Sequence, residues 1–158
     1  MRRPNRSLEF LRRISRPRHP RPGGADSISV YVEERAALLT SEELEELRPN
    51  LGMLTLQFTT IAAPEFPHLQ AQLKFLAEFL EDTGEGLFPT ASEASRKEAA
   101  FAIRYAAKEA DIIPDFIPEI GYADDSLIVR TVLNRHRDVF CDYCRFRDIA
   151  WSEISLLP

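Results

Sequence analysis

Four aspartates, Asp111, Asp115, Asp124 and Asp125, fall within a stretch of 15 residues. Hard divalent cations such as magnesium and calcium take oxygen ligands, so four converging carboxylates would make a metal site or the centre of a metal-dependent enzyme. The same residues also have a purely structural use. Asp115 directly follows Pro114 and suits a turn cap, while Asp124 and Asp125 at a helix start would satisfy free backbone N–H groups and complement the helix dipole. Capping is the preferred reading, and metal binding is the alternative. An EF-hand is excluded because prolines and isoleucines occupy the positions its ligands require.

Cys141-Asp-Tyr-Cys144 has the spacing of a redox pair or half a zinc site, with His136 five residues upstream. If one helix carries all three, the cysteines lie about 60° apart, but His136 and Cys141 lie about 140° apart and do not share a metal without a break. A structural zinc needs four ligands, and His19 and His68 are distant in sequence. Reactive thiols sit at helix N-termini, whereas this pair falls inside a helical pattern. Two reduced helical cysteines and a core or groove histidine are therefore expected. Nucleophile elbows, glycine-rich phosphate loops and His-Glu-x-x-His patterns are missing, so no catalytic or cofactor-binding residue is assigned.

Helical periodicity supplies the elements that would carry these residues. Ile28, Tyr31, Val32, Arg35, Leu38 and Leu39 suit a helix capped by Asp26 or Ser27, and no second strand candidate supports reading Ile28, Val30 and Val32 as a strand. Thr40 or Ser41 opens an acidic helix that Pro49 stops. An uncharged stretch of 16 residues, Pro49 to Pro64, predicts a buried helix from about Leu51 to Ala63. Leu69, Leu73, Leu76 and Leu80, widened by Phe75 and Phe79, predict an amphipathic helix over 68–82 that Gly84 and Gly86 end. Thr90-Ala-Ser-Glu93 has capping-box form and precedes a small-residue face of Ala99, Ile103, Ala106 and Ala110. A last helix is expected from Asp124 or Asp125 to about Trp151, with Ile128, Val132, Val139, Tyr143 and Phe146 near one face. The fold expected is all-α, a compact bundle of five or six helices over residues 25–158.

Residues 1–24 differ in kind. They hold eight arginines (Arg2, Arg3, Arg6, Arg12, Arg13, Arg16, Arg18 and Arg21) against Glu9 alone, a charge of +7. The other residues carry 12 basic and 24 acidic side chains, or −12, so the overall −5 describes neither part. Prolines and glycines from Pro17 to Gly24 oppose a helix and predict a disordered arm ending in a linker. Leu8, Phe10, Leu11 and Ile14 among the arginines would suit an anionic membrane surface, each arginine contributing about 1 kcal/mol. Nucleic-acid phosphates would attract the same charge, but no interleaved aromatics support sequence readout, so nucleic acid is disfavoured. An unstructured tail is the first reading of the arm and membrane contact the second, with an Arg-rich transit peptide opposed by the proline density. A secretory signal is not expected, because no uninterrupted apolar segment follows the first charges.

The connection Asp111-Ile-Ile-Pro114-Asp115-Phe-Ile-Pro118-Glu-Ile-Gly121-Tyr122-Ala-Asp124-Asp125 is unusually apolar for a linker. Ile112, Ile113, Phe116, Ile117 and Ile120 are expected in the core, where burial contributes about 1.5–3 kcal/mol each before entropy. Pro114 and Pro118 would fix two bends, and Gly121 would supply a positive φ before the next helix. This string, preceded by an Ala-rich helix with Tyr105, closely resembles the signature of the YkvA-like bacterial domain of unknown function, over about residues 94–135. The resemblance implies a small helical module, often in membrane-associated proteins, with no established catalytic residue or cofactor. Arg104, Lys108, Glu109 and Ala110 stand where that family often has an apolar helix followed by Ser-Pro. Those charges oppose insertion, at about 2.5–3.5 kcal/mol per charge at a helix centre, and leave surface association open.

Composition agrees with this class. The mean hydropathy of −0.25, with no apolar run near the roughly 18 residues of a membrane span, opposes an integral membrane protein. Two cysteines exclude a disulfide scaffold. The chain is expected to be cytoplasmic, peripheral to the inner face of the membrane, and non-catalytic: an accessory or interaction module for an unidentified protein partner.

Overall fold

The computed structural model describes the backbone of residues 25–112 and 118–155, with side chains of residues 27–107 and 122–155. Eight α-helical segments are formed among the described residues: α1 Ala25–Ala37, α2 Ser41–Leu47, α3 Leu51–Phe58, α4 Leu69–Gly84, α5 Glu93–Ile112, α6 Pro118–Arg135, α7 Arg137–Arg147 and the single turn α8 Trp151–Ile154. A 3-10 turn, Arg48–Asn50, joins α2 to α3. The fold is all-α, as the periodicity predicts.

Helix α5 is the central element and packs on α1, α3, α4 and α6. Its inward residues are mostly alanine, and Ala99, Ala100, Ala102, Ala106 and Ala107 are all buried around Ile103. Small side chains let the neighbouring backbones approach closely, so one helix serves several partners. Helix α4 supplies the bulk that α5 lacks. Its Leu69, Leu73, Leu76 and Leu80 are buried as their spacing predicts, and Phe75 and Phe79 meet Phe140 and Tyr143 of α7. The Phe79 ring lies 5.0 Å from Phe140 and 5.2 Å from Tyr143, both edge to face. Such pairs contribute about 0.5–1.5 kcal/mol beyond their buried area.

Local chemistry sets several helix ends. Thr40 forms a full capping box on α2: the Glu43 N–H donates to Thr40 Oγ1 at 3.2 Å, and the Thr40 N–H donates to Glu43 Oε2 at 2.9 Å. Past the end of α4, Gly86 adopts φ +76°, and the Leu87 N–H returns to the Asp82 carbonyl at 2.8 Å. The α7 end repeats that device with Asp148 at φ 55° and an Ile149 N–H to Cys144 carbonyl bond of 2.8 Å. No basic residue lies in the last turn of α4. Arg48 lies against it instead, in space that exists because Gly84 has no side chain; a Cβ there would sit 2.5 Å from Arg48 Nε.

Five boundaries differ from expectation. Helix α1 runs from Ala25 to Ala37, so Asp26 and Ser27 lie inside it and Leu38 and Leu39 beyond it. Helix α3 stops at Phe58 rather than Ala63, because Thr59 and Thr60 turn their hydroxyls onto the carbonyls of Leu56 and Gln57, both at 2.6 Å. Helix α5 is capped by Ser92, whose Oγ accepts from the Ser95 N–H at 3.1 Å, and Thr90 lies two residues before it. Helix α6 begins at Pro118, so Gly121, Asp124 and Asp125 are inside it; proline suits a first helical position as well as it suits a bend. The expected last helix is interrupted at His136, with φ −116° and ψ 34°, and interrupted again before Trp151. These interruptions account for eight segments in place of five or six.

The arm (residues 1–24), the connection 113–117 and the side chains of Ile112, Ile113, Phe116, Ile117 and Ile120 lie outside the described residues. Expectations about the arm's disorder and the connection's burial rest on sequence alone.

Candidate functional site

Polar groups buried inside a helical bundle mark where the sequence does something other than pack. Two such centres flank the α4–α5–α6–α7 core. The first is built on Glu98 of α5, whose side chain is 4% exposed. Arg135, the last residue of α6, donates from Nε to Glu98 Oε2 at 2.9 Å and from a terminal nitrogen to Oε1 at 3.1 Å. His136 Nε2 lies 2.9 Å from the same Oε2. Arg135 reaches further to Ser29 Oγ at 2.6 Å and to Glu33 Oε2 at 3.3 Å, both on α1. One guanidinium thus ties three helices. Burial pushes the Glu98 carboxyl up, but the nearby His136 and the hydrogen-bonded Arg135 outweigh it and hold the group below its ordinary value. Arg135 is in turn held above its ordinary value, first by its hydrogen bonds to Glu98.

This centre explains the helix break. Consecutive residues on a continuous α-helix point about 100° apart. Arg135 and His136 face one carboxylate, and the non-helical backbone at His136 is what lets them do so.

The second centre joins α4 to α7. Tyr143, fully buried, donates to Asp82 Oδ2 at 2.6 Å, and Arg147 lies 3.5 Å from that oxygen and 3.8 Å from Glu78. Burial, followed by the hydrogen bond and charge of Asp82, raises the Tyr143 hydroxyl far above its ordinary value. A phenol so held is a fixed donor rather than an acid or base at neutral pH.

The residues singled out by sequence occupy different places. Asp124 and Asp125 are helix-interior residues of α6 and not caps at its start. Asp125 is 2% exposed and Asp124 half-buried, and as neighbours on one helix they leave it in directions about 100° apart. The charge of Asp124 bears on Tyr31 of α1. Asp111 and Asp115 lie outside the residues whose side chains are described, and the four-carboxylate reading lies there with them. Among the described residues, no group of three or more His, Cys, Asp or Glu side chains is placed to hold a metal ion.

Cys141 and Cys144 are free thiols within α7, as expected, with Cys144 buried. Burial, with smaller contributions from Cys141 and Glu153, pushes the Cys144 thiol up to about 11. That is opposite to the shift a redox-active or metal-binding cysteine needs. His136 faces Glu98 rather than the cysteines. Phe146 is half exposed, stacked on Tyr143 with centroids 5.9 Å apart. The eight arm arginines lie outside the described residues.

Sequence reasoning missed both centres because their members are far apart in the chain, 37 residues from Glu98 to Arg135 and 61 from Asp82 to Tyr143. A usable signal was present. Glu98 interrupts the alanine face of α5, and Asp82 stands three residues beyond Phe79 on the apolar face of α4. A charge on an apolar stripe demands a partner.

The fold and these centres define an all-helical body whose buried carboxylates engage partners across its helices. Residues 96–129, about a fifth of the chain, match the family model described as a protein of unknown function, DUF1232. The match spans most of α5 and the first two thirds of α6, including Glu98, Asp124 and Asp125. No curated protein and no solved structure matches the chain. Among the described residues, no helix is long and apolar enough to cross a membrane.

Proposed function

We propose that this chain is a non-catalytic, YkvA-like helical module that works by interaction, held at an anionic membrane surface by its basic arm while the body meets a protein partner. The observation that carries the proposal is the partition of charge: +7 in residues 1–24 against −12 in the remainder. An acidic body is repelled by anionic lipid, so an arm of this charge is what would bring it there. Two further facts support the reading. The match over 96–129 overlaps the YkvA-like stretch at about 94–135. The buried carboxylates Glu98 and Asp82 are engaged by Arg135 and Tyr143 and are not presented to a cleft.

The test is co-sedimentation of the full chain with vesicles of phosphatidylglycerol or phosphatidylcholine, beside a variant with all eight arm arginines replaced by glutamine. Binding to the anionic vesicles alone, lost in the variant and weakened by salt, is expected. Equal binding by both proteins defeats the role of the arm.

A further inference from the structure

Helix α3 and the loop after it form a corner unlike the rest of the body. No charged residue occurs from Pro49 to Pro64, in a body of net −12. Within this stretch Met53 is 54% exposed and Leu56 70% exposed, one turn apart on α3. A shallow groove of about 300 Å³, lined by Ile61, Ala62, Ala63, Pro64, Phe66, Pro67 and Gln70, follows directly.

Three threonines of this corner return their hydroxyls to its own carbonyls. Thr55 donates to the Leu51 carbonyl at 2.9 Å, and Thr59 and Thr60 donate to the Leu56 and Gln57 carbonyls at 2.6 Å. Gln70 Nε2 donates to the Ile61 carbonyl at 2.5 Å and lies 3.3 Å from the Thr59 carbonyl. Carbonyls at a helix end ordinarily depend on water, and removing that water is what makes such a segment costly to bury. Here side chains of the same segment already satisfy them.

We propose that Met53, Leu56 and the Ile61–Pro67 groove form the face that seats in the headgroup region of an anionic bilayer. This inference rests on the membrane reading above and names the body's contact. Over much of the body the excess negative charge opposes close approach to an anionic surface, whereas this uncharged corner avoids that repulsion and exposes Met53 and Leu56, apolar side chains of the kind interfacial seating requires. Glu65 is the one carboxylate of the loop. Reach is not limiting, since an arm of 24 residues extends up to about 80 Å.

The experiment uses the full chain with Trp151→Phe and either Met53→Trp or Leu56→Trp, so that one tryptophan reports the corner. Added phosphatidylglycerol vesicles should shift its emission to the blue, and bromine-labelled lipid should quench it. Met53→Ser with Leu56→Ser, melting as the parent does, should bind these vesicles roughly tenfold more weakly. If the parent binds while the tryptophans stay water-exposed and the serine variant binds equally, the corner is not the contact and the arm alone suffices. A concentration-dependent blue shift without vesicles would show a second copy covering the face, and would overturn the inference. If the parent binds no vesicles at all, the membrane reading itself fails, and this inference with it.

Discussion

His136 Nε2 stands 2.9 Å from Glu98 Oε2, at the point where the chain leaves α6 and starts α7. The adjacent Arg135 grips the same carboxylate through two nitrogens. The direction change of the helical chain and the neutralisation of a buried charge are therefore one structural event. Its consequences for stability are direct.

Glu98→Gln removes the acceptor charge and leaves Arg135 without its main partner. Breaking a buried ion pair costs several kcal/mol because the remaining charge is uncompensated. Arg135 keeps partial solvent access and Glu33, so a loss of about 3 kcal/mol is expected in chemical denaturation. A loss under about 0.5 kcal/mol, within the range of ordinary surface substitutions, would show that the pair is not organising the junction.

Glu98 also fixes a pH dependence. Its folded-state carboxyl is held below the ordinary value, while in the unfolded chain it returns to about 4.3. The unfolded state therefore binds the proton first as pH falls. The stabilisation is complete above about pH 5 and is lost as pH drops through the depressed folded value. The acid limb of the stability curve should be shallower in Glu98→Gln than in the parent. Identical limbs would contradict the assignment.

Tyr143→Phe keeps the ring packing against Phe75 and Phe79 and deletes only the donor to Asp82. Hydrogen bonds to charged groups contribute about 1.5–3 kcal/mol. A loss in that range is expected from urea denaturation. A neutral substitution would mean that Arg147 alone satisfies Asp82.

Cys144 should resist alkylation in the folded chain at pH 8, since it is 2% exposed and its thiol is pushed up to about 11. Iodoacetamide should modify Cys141 first, with both thiols reacting equally only in denaturant. Equal rates in the native chain would contradict the burial of α7 against α4.

These sites show how much of the molecule could be read from residues alone. The apolar face of helix α4 was legible, because its spacing and the Gly86 turn are local signals, although Gly84 falls inside the helix and not beyond it. The start of α2 was legible for the same reason, Thr40 being one of the two caps expected, though its reciprocal bond with Glu43 was not read. The start of α6 was not, because proline reads equally as a bend or as a first helical residue, and only packing decides between them. Asp124 and Asp125 were accordingly read as caps and lie within the helix. The break at His136 was invisible because its cause, Glu98, is on another helix.

The metal reading of the aspartates has a direct test. Asp124 and Asp125 diverge by about 100° on one helix, so magnesium, manganese or calcium at millimolar concentration should leave the thermal midpoint unchanged. An upward shift abolished by Asp124→Asn with Asp125→Asn would restore a metal site.

The sharpest measurement is the partition of the full chain onto vesicles as phosphatidylglycerol replaces phosphatidylcholine, at low and high salt. Arm-driven attraction by the +7 segment predicts binding that rises steeply with anionic lipid, falls as salt is added, and disappears when the eight arginines become glutamine. Binding that ignores lipid charge, or survives loss of the arginines, would contradict it.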